Sequence, residues 1–214
     1  DCRGWSINTF NLEMTAPNYM QISSYPLAQT KSSNGIVSGE VIHIESFRDM
    51  VEVKRLYAGK LKNKVVLLGF EPAHRALDKP LTKRLSNDDL TELGGKLIAE
   101  TQQTPLPELL KSWETDDIDD GQFLQFIESE GGLAVLKTVN RHTGILHPGG
   151  TYFYKNEHLK PLPYFTIMPE HFGRLYRMLK QGTVPTVRLN LETSFYDEPE
   201  NNVNIIGQLT GSDP

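Results

Sequence analysis

The chain has 214 residues, with 22 Lys+Arg against 27 Asp+Glu and a formal net charge of -5. A hydrophobic share of 38% and a charged share of 23% exclude a disordered or collagen-like chain and fit one domain with extensions. No apolar run approaches the roughly 18 residues of a membrane helix, and the mild acidity argues against a clustered basic surface for nucleic acid. Cys2 is the single cysteine, so no internal disulfide forms, which by itself leaves the compartment open. The chain starts at Asp1 without a basic, apolar leader. We therefore expect that a leader was removed or that the chain belongs to something longer.

Residues 1–35 are polar and rich in turn signals, so extended segments and loops are expected there. Ile36 to Ile44 is rich in β-branched residues and predicts a strand, and 45–58 has room for a short helix. Gly59 to Lys64 leads into Val65-Val66-Leu67-Leu68, a continuous apolar run that predicts a buried strand. Residues 70–118 form an excursion. Within it Ser86 is placed to cap a helix, Asp89 suits the first turn, and Leu90, Leu93 and Leu97 recur at helical spacing. Gly94-Gly95 weakens that helix and Thr104-Pro105 ends it. Trp113 to Asp120 is acidic. A further helix is expected from Gly121 to Glu130, with Phe123, Leu124 and Ile127 on one face and Gly131-Gly132 as its stop. Leu133 to Leu136 follows as a strand. Helix, glycine pair and apolar strand make the return half of a β–α–β crossover, hence a parallel pair.

Residues 140–150 read as loop and Thr151 to Tyr154 as a short strand. Tyr164 to Ile167 is extended. Pro169 opens a helix whose face is Phe172, Leu175, Tyr176 and Leu179, and Gly182 closes it. Val184 to Glu192 alternates as a half-buried strand, and Val203 to Leu209 reads as a last one. No internal repeat is present.

The chemistry-bearing motifs are few. No H-E-x-x-H helix, nucleophile elbow, phosphate loop or dinucleotide fingerprint occurs. The six histidines are His43, His74, His142, His147, His158 and His171. His142 and His147 are five apart and do not share a helix face, so they read as solvated loop residues. The run Asp116, Asp117, Asp119, Asp120, Gly121 fails as a calcium loop, because Ile118 and Ile127 fall on ligand positions. It reads instead as a solvated stretch whose last Asp favours the next helix. Cys2 has no neighbouring base and reads as an ordinary thiol. The Lys60, Lys62, Lys64 comb reads as a solvated turn. Tyr152-Phe153-Tyr154 has Lys155 beside it but no cluster of Arg and Lys, so a packed strand is favoured over a base-stacking platform.

Several segments, taken together, resemble one family. Gly59-Lys60-Leu61-Lys62-Asn63-Lys64-Val65-Val66-Leu67-Leu68 resembles a strand of the protease-associated (PA) domain. Glu130-Gly131-Gly132-Leu133-Ala134-Val135-Leu136 is similar to its helix-to-strand step, and Leu162 to Ile167 followed by Glu170 to Leu175 to its later strand and final helix. The tail, Phe195-Tyr196-Asp197 and then Asn202 to Pro214, resembles the segment that leads into the catalytic domain of secreted di-zinc exopeptidases of the aminopeptidase and plasma glutamate carboxypeptidase type. Gly4-Trp5-Ser6 through Pro17 and Tyr25-Pro26-Leu27-Ala28 resemble the lead-in of larger bacterial members. The order of the motifs and the length of the tail give the combination its specificity. Gly132 stands where many PA domains have Ala, read here as a harmless exchange of small residues.

The resemblance implies an α/β (α+β) fold: a twisted mixed sheet, β-sandwich-like, with two or three packed helices. It implies a lead-in at 1–35, a PA-like domain at 36–200 with its excursion at about 70–120, and a strand at 201–214 leading toward a catalytic domain. The family's first zinc-ligand motif follows such a tail and is not in these 214 residues. No position is therefore assigned a catalytic, cofactor-binding or metal role, and no cofactor is expected in this chain, zinc belonging to the parent's catalytic domain. The chain alone is expected not to hydrolyse peptides. Its expected partners are the catalytic peptidase domain of the same polypeptide and a peptide substrate, with no nucleic acid and no membrane, in a secreted or periplasmic setting. The competing expectation is a stand-alone peptide- or protein-binding module. A complete enzyme built on His142 or His147 ranks below both.

Overall fold

The computed structural model describes residues 4–72, 84–103 (side chains to 96), 121–138 and 161–196, with 146, 148, 206–208 and 211. In chain order the elements are β1 (Gly4–Ala16), β2 (Met20–Gln21), β3 (Ser24–Pro26), β4 (Val37–Ile44), α1 (Met50–Tyr57), β5 (Lys64–Leu68), α2 (Asn87–Gln103), α3 (Gly121–Ser129), β6 (Ala134–Lys137), β7 (Tyr164–Ile167), α4 (Pro169–Lys180) and β8 (Thr186–Tyr196).

All eight strands belong to one sheet, in the order β2-β1-β8-β4-β5-β6-β7-β3. Strands β4, β5, β6 and β7 are parallel neighbours. The crossover expected between β5 and β6 is present, and parallel pairing extends on both sides of it. Antiparallel strands flank this centre: β8 beside β4, β1 beside β8, and β3 beside β7. The fold class is the expected twisted mixed α/β sheet, but as a single curled sheet rather than two stacked ones.

The two faces of the sheet follow the strand period of two. Val41, Val65, Leu67, Leu136, Phe165 and Ile167 join Leu12, Met14, Val187, Leu189 and Leu191 in one core. Helix α4 adds Phe172 and Leu175 to it, each worth about 1.5–3 kcal/mol when fully buried. Ile44, Val66, Leu68, Val135 and Tyr164 face the other way and pack on Val53 of α1 and on Phe123, Leu124 and Ile127 of α3. The curl brings strands from opposite ends of the sheet together. Phe10 of β1 lies 6.5 Å from Phe165 of β7, and 5.8 Å from Tyr25 of β3.

Residues 27–33 hold that curl as a strap from β7 to β8. Leu27 N–H donates to the Tyr164 carbonyl at 2.8 Å, and Ser33 N–H donates to the Leu191 carbonyl at 2.9 Å. Three hydroxyls do the rest. Thr30 Oγ1 donates to the Leu162 carbonyl (2.8 Å) and accepts from Tyr164 N–H (2.9 Å). Ser32 Oγ accepts from Thr193 N–H, and Ser33 Oγ from Leu191 N–H. The Thr30 carbonyl accepts from Trp5 Nε1 and from Thr193 Oγ1. Thr30 is fully buried, so each of these groups would cost about 1–3 kcal/mol if left unpaired.

On the outer face of β1, Glu13 is buried at 5% exposure. The Arg188 guanidinium bonds it at 2.5 Å and holds its carboxyl below the usual carboxylate range. That pair ties β1 to β8 at the register Glu13↔Arg188.

The sequence expectations map closely onto the helices. Asp49 caps α1 by accepting from Val51 and Glu52 N–H. Ser86 Oγ accepts from Asp89 N–H, the cap expected, and Asp89 Oδ2 accepts from Ser86 N–H, which makes the cap reciprocal. Helix α2 runs through Gly94-Gly95 and ends at Gln103. Its described apolar residues are exposed, Leu90 at 52% and Leu93 at 45%. Three helices therefore pack on the sheet, and a fourth does not bury its described face. The strand at 184–192 extends to Tyr196, because β1 pairs with it that far. Residues 206–208 are not in a strand, which does not bear out the last strand there; 203–205 and 209 lie outside the described residues. So do Cys2, the acidic run 113–120, and Tyr152 to Tyr154.

The reading of Gly132 needs correction. Gly131 takes a left-handed φ of 77°, and Gly132 N–H donates to the Ile127 carbonyl at 2.8 Å, ending α3. A Cβ on Gly132 would lie 2.4 Å from Ile127 Cγ2 and 3.0 Å from the Ile127 carbonyl oxygen. Ile127 is fully buried and has no room to retreat. Gly132→Ala is therefore expected to destabilise the fold by about 1–3 kcal/mol, as overpacking does, measured as a lower urea midpoint. An unchanged midpoint would show that α3 shifts freely.

Candidate functional site: a groove between β4 and α4

The β4–β8 ladder runs from Val37↔Leu189 to Glu40↔Thr186. One more bond follows, from Val41 N–H to the Pro185 carbonyl at 2.9 Å. Pro185 has no N–H to carry the ladder further. Upstream of it the chain turns into the end of α4, where Gly182 takes a φ of 80° and donates to the Leu179 carbonyl. The carboxyl half of β4 is thereby left without its antiparallel neighbour.

A groove of about 430 Å³ fills that place, lined by Glu40 to His43, Lys64, Tyr176, Leu179, Lys180 and Val184. His43 is one of its lining residues. Its Nε2 is 2.7 Å from the Gly69 carbonyl; a carbonyl only accepts, so Nε2 carries the hydrogen. The ring meets Tyr176 edge-to-face, 5.0 Å between centroids at 88°, a contact worth about 0.5–1.5 kcal/mol beyond burial. The His43 carbonyl accepts from the Tyr57 hydroxyl at 3.0 Å. Burial raises the Tyr57 phenol above its ordinary range, and the Glu45 charge adds to this, so it stays a donor.

Lys180 Nζ sits 5.2 Å from the Tyr176 ring centroid, a cation–π contact that fixes its direction. Lys64 and Glu40 form an ion pair with each other. Just outside, Arg177 bonds Glu71 at 2.8 Å, an exposed pair worth about 0–1 kcal/mol. The groove thus offers an aromatic wall, an aliphatic rim, a fixed cation and a strand edge. Those are the parts of a binding surface.

Of the six histidines, His43 is in this groove and His171 in the first turn of α4. His74, His142, His147 and His158 lie outside the described residues, so the pair His142 and His147 is not placed. Among the described residues no three His, Cys, Asp or Glu side chains gather as a metal-holding group, so no step through zinc is derived for this chain. No described helix is long and apolar enough to cross a membrane. Sequence reading counted Tyr176 and Leu179 as core face and did not single out Lys180 or Val184. The available signal was Pro185 just ahead of an alternating strand, which marks where a ladder stops.

His171 has a structural task. Its Nδ1 accepts from Ser23 N–H at 2.9 Å, while Met168 N–H donates to the Ser23 carbonyl, anchoring the start of β3. Burial lowers the His171 pKa below its ordinary 6.5; Glu170 opposes the shift and Arg174 reinforces it. The native state therefore prefers the neutral ring, and the unfolded chain takes up the proton first as pH falls. The contribution is full above about 6.5 and is lost as pH falls through the native value. The unfolding midpoint is expected to decline through that window, and His171→Gln to flatten the decline. An equal slope in both proteins would contradict this.

This chain resembles solved structures of peptidases. One is a peptidase M28 precursor from Shewanella amazonensis, at TM-score 0.55 and 14% identity, matched over 90% of this chain and 36% of that one. Another is an aminopeptidase from Aneurinibacillus sp. strain AM-1, at TM-score 0.51 and 12% identity, matched over 91% and 33%. The chain spans about a third of the length of these proteins. No family model matches it, and no curated protein does. At these identities the likeness is one of fold.

Proposed function

We propose that this chain is the protease-associated domain of an exported zinc-dependent exopeptidase, non-catalytic itself, and that it governs which peptides reach or stay near the catalytic domain. In this reading 36–200 is the domain, with its excursion at about 70–120, and 201–214 lead toward the catalytic domain. The lead-in 1–35 adds β1, β2 and β3 to the same sheet. The observation that carries the reading is the span of the likeness, nine-tenths of this chain against about a third of each peptidase. The order of the PA-like motifs supports it, as does a groove equipped for binding rather than bond cleavage.

The test is an assay on amino-acid p-nitroanilides with added zinc, run on this chain and on the product of the full reading frame. The full product is expected to turn substrate over, and the chain alone to stay at the blank rate, since no site for activating water is assigned to it. Zinc-dependent turnover by the chain, or none by the full product, would contradict the reading.

A further inference from the structure

The groove has a directional backbone feature. Val41 donates to Pro185 on the β8 side, and the Ile44 carbonyl accepts from Gly69 N–H on the β5 side. Peptide groups alternate along a strand, so the His43 N–H faces the side that β8 has left. Its own carbonyl is already taken by Tyr57. One strand-edge donor is thus presented on the groove floor, with Tyr176 and Lys180 on one side of it.

The charges in the groove do not cancel. Glu40 is held by Lys64, whereas Lys180 has the Tyr176 ring and, among the described residues, no carboxylate partner. One positive charge is left, fixed in direction. Val184, 50% exposed, and Leu179 give the groove an apolar rim.

We propose that this groove binds an extended peptide bearing a carboxylate. A peptide carbonyl accepts from the His43 N–H as a strand-addition contact. An apolar side chain rests on Leu179 and Val184, and the peptide's carboxylate meets Lys180 Nζ. Neutral peptides fit the edge but lack the ion pair, so selection is for acidic ones. The inference rests on the reading of this chain as a peptide-handling domain, though not on any catalysis.

The test titrates the 15N-labelled chain with acetyl-Ala-Val-Ala-Glu-Ala amide and with its Gln counterpart. The largest amide shift is expected at His43, and the Glu peptide is expected to bind about threefold to fivefold tighter, the upper end for an exposed ion pair. Lys180→Gln should abolish that preference, while Lys180→Arg should keep it. Equal affinity for both peptides, shifts centred away from His43, or no shift at millimolar peptide would overturn the proposal. If the peptides fail to bind while the full reading frame alone shows zinc-dependent turnover, this site is wrong and the accessory-domain reading stands. If the acidic peptide binds at His43 while the chain itself turns substrate over, the site stands and that reading falls.

Discussion

Thr30 is the point on which the curled sheet depends. Its hydroxyl serves Leu162 and Tyr164 at the start of β7, while its carbonyl serves Trp5 of β1 and Thr193 of β8. Strands β4, β5 and β6 lie between β7 and β8, so one buried residue spans them. Without it the strap loses the buried hydrogen bonds that link the start of β7 to β1 and β8, whose apolar faces share one core with β6 and β7. Hydroxyls suit this task because each donates and accepts at once, completing two strand ends that have no ladder partner there. Three such residues, Thr30, Ser32 and Ser33, fall in four positions.

The groove is a consequence of the same geometry. Helix α4 sends Phe172 and Leu175 into the inner core, so the chain must return from it to reach β8. The return passes through Gly182 and Pro185, one supplying a left-handed turn and the other withholding a donor. Both end the β4–β8 ladder early. The resulting gap is small, and it presents the His43 N–H and the Lys180 ammonium. Binding capacity thus appears where the fold leaves a strand edge incomplete.

Much of the fold was legible in the sequence because its signals are local. The run Val65 to Leu68 announces a strand buried on both faces, Pro169 and Gly182 bracket α4, and Ser86 with Asp89 writes out a helix cap. The strap was not legible. Thr30, Ser32 and Ser33 look like any polar turn, and their partners lie more than 130 residues away. Gly132 misled for a related reason: its need for no side chain comes from Ile127, five positions upstream but brought against it by the turn. The groove was also hidden, since Tyr176 is both an apolar helix position and a groove wall, and period alone does not separate these roles. Four of the six histidines fall outside the described residues, so the sequence reading of His142 and His147 stands as an expectation.

The likeness to much longer peptidases at 14% and 12% identity shows that this fold tolerates wide change in sequence. Native-state hydrogen exchange tests the closure of the sheet most directly. The account predicts that the amides of Tyr164, Leu191 and Thr193, which are bonded to strap hydroxyls, exchange only with global unfolding, as slowly as Val66 and Leu67 in β5. Exchange of those three amides through a local opening, markedly faster than the β5 amides, would show that the strap does not hold the sheet closed.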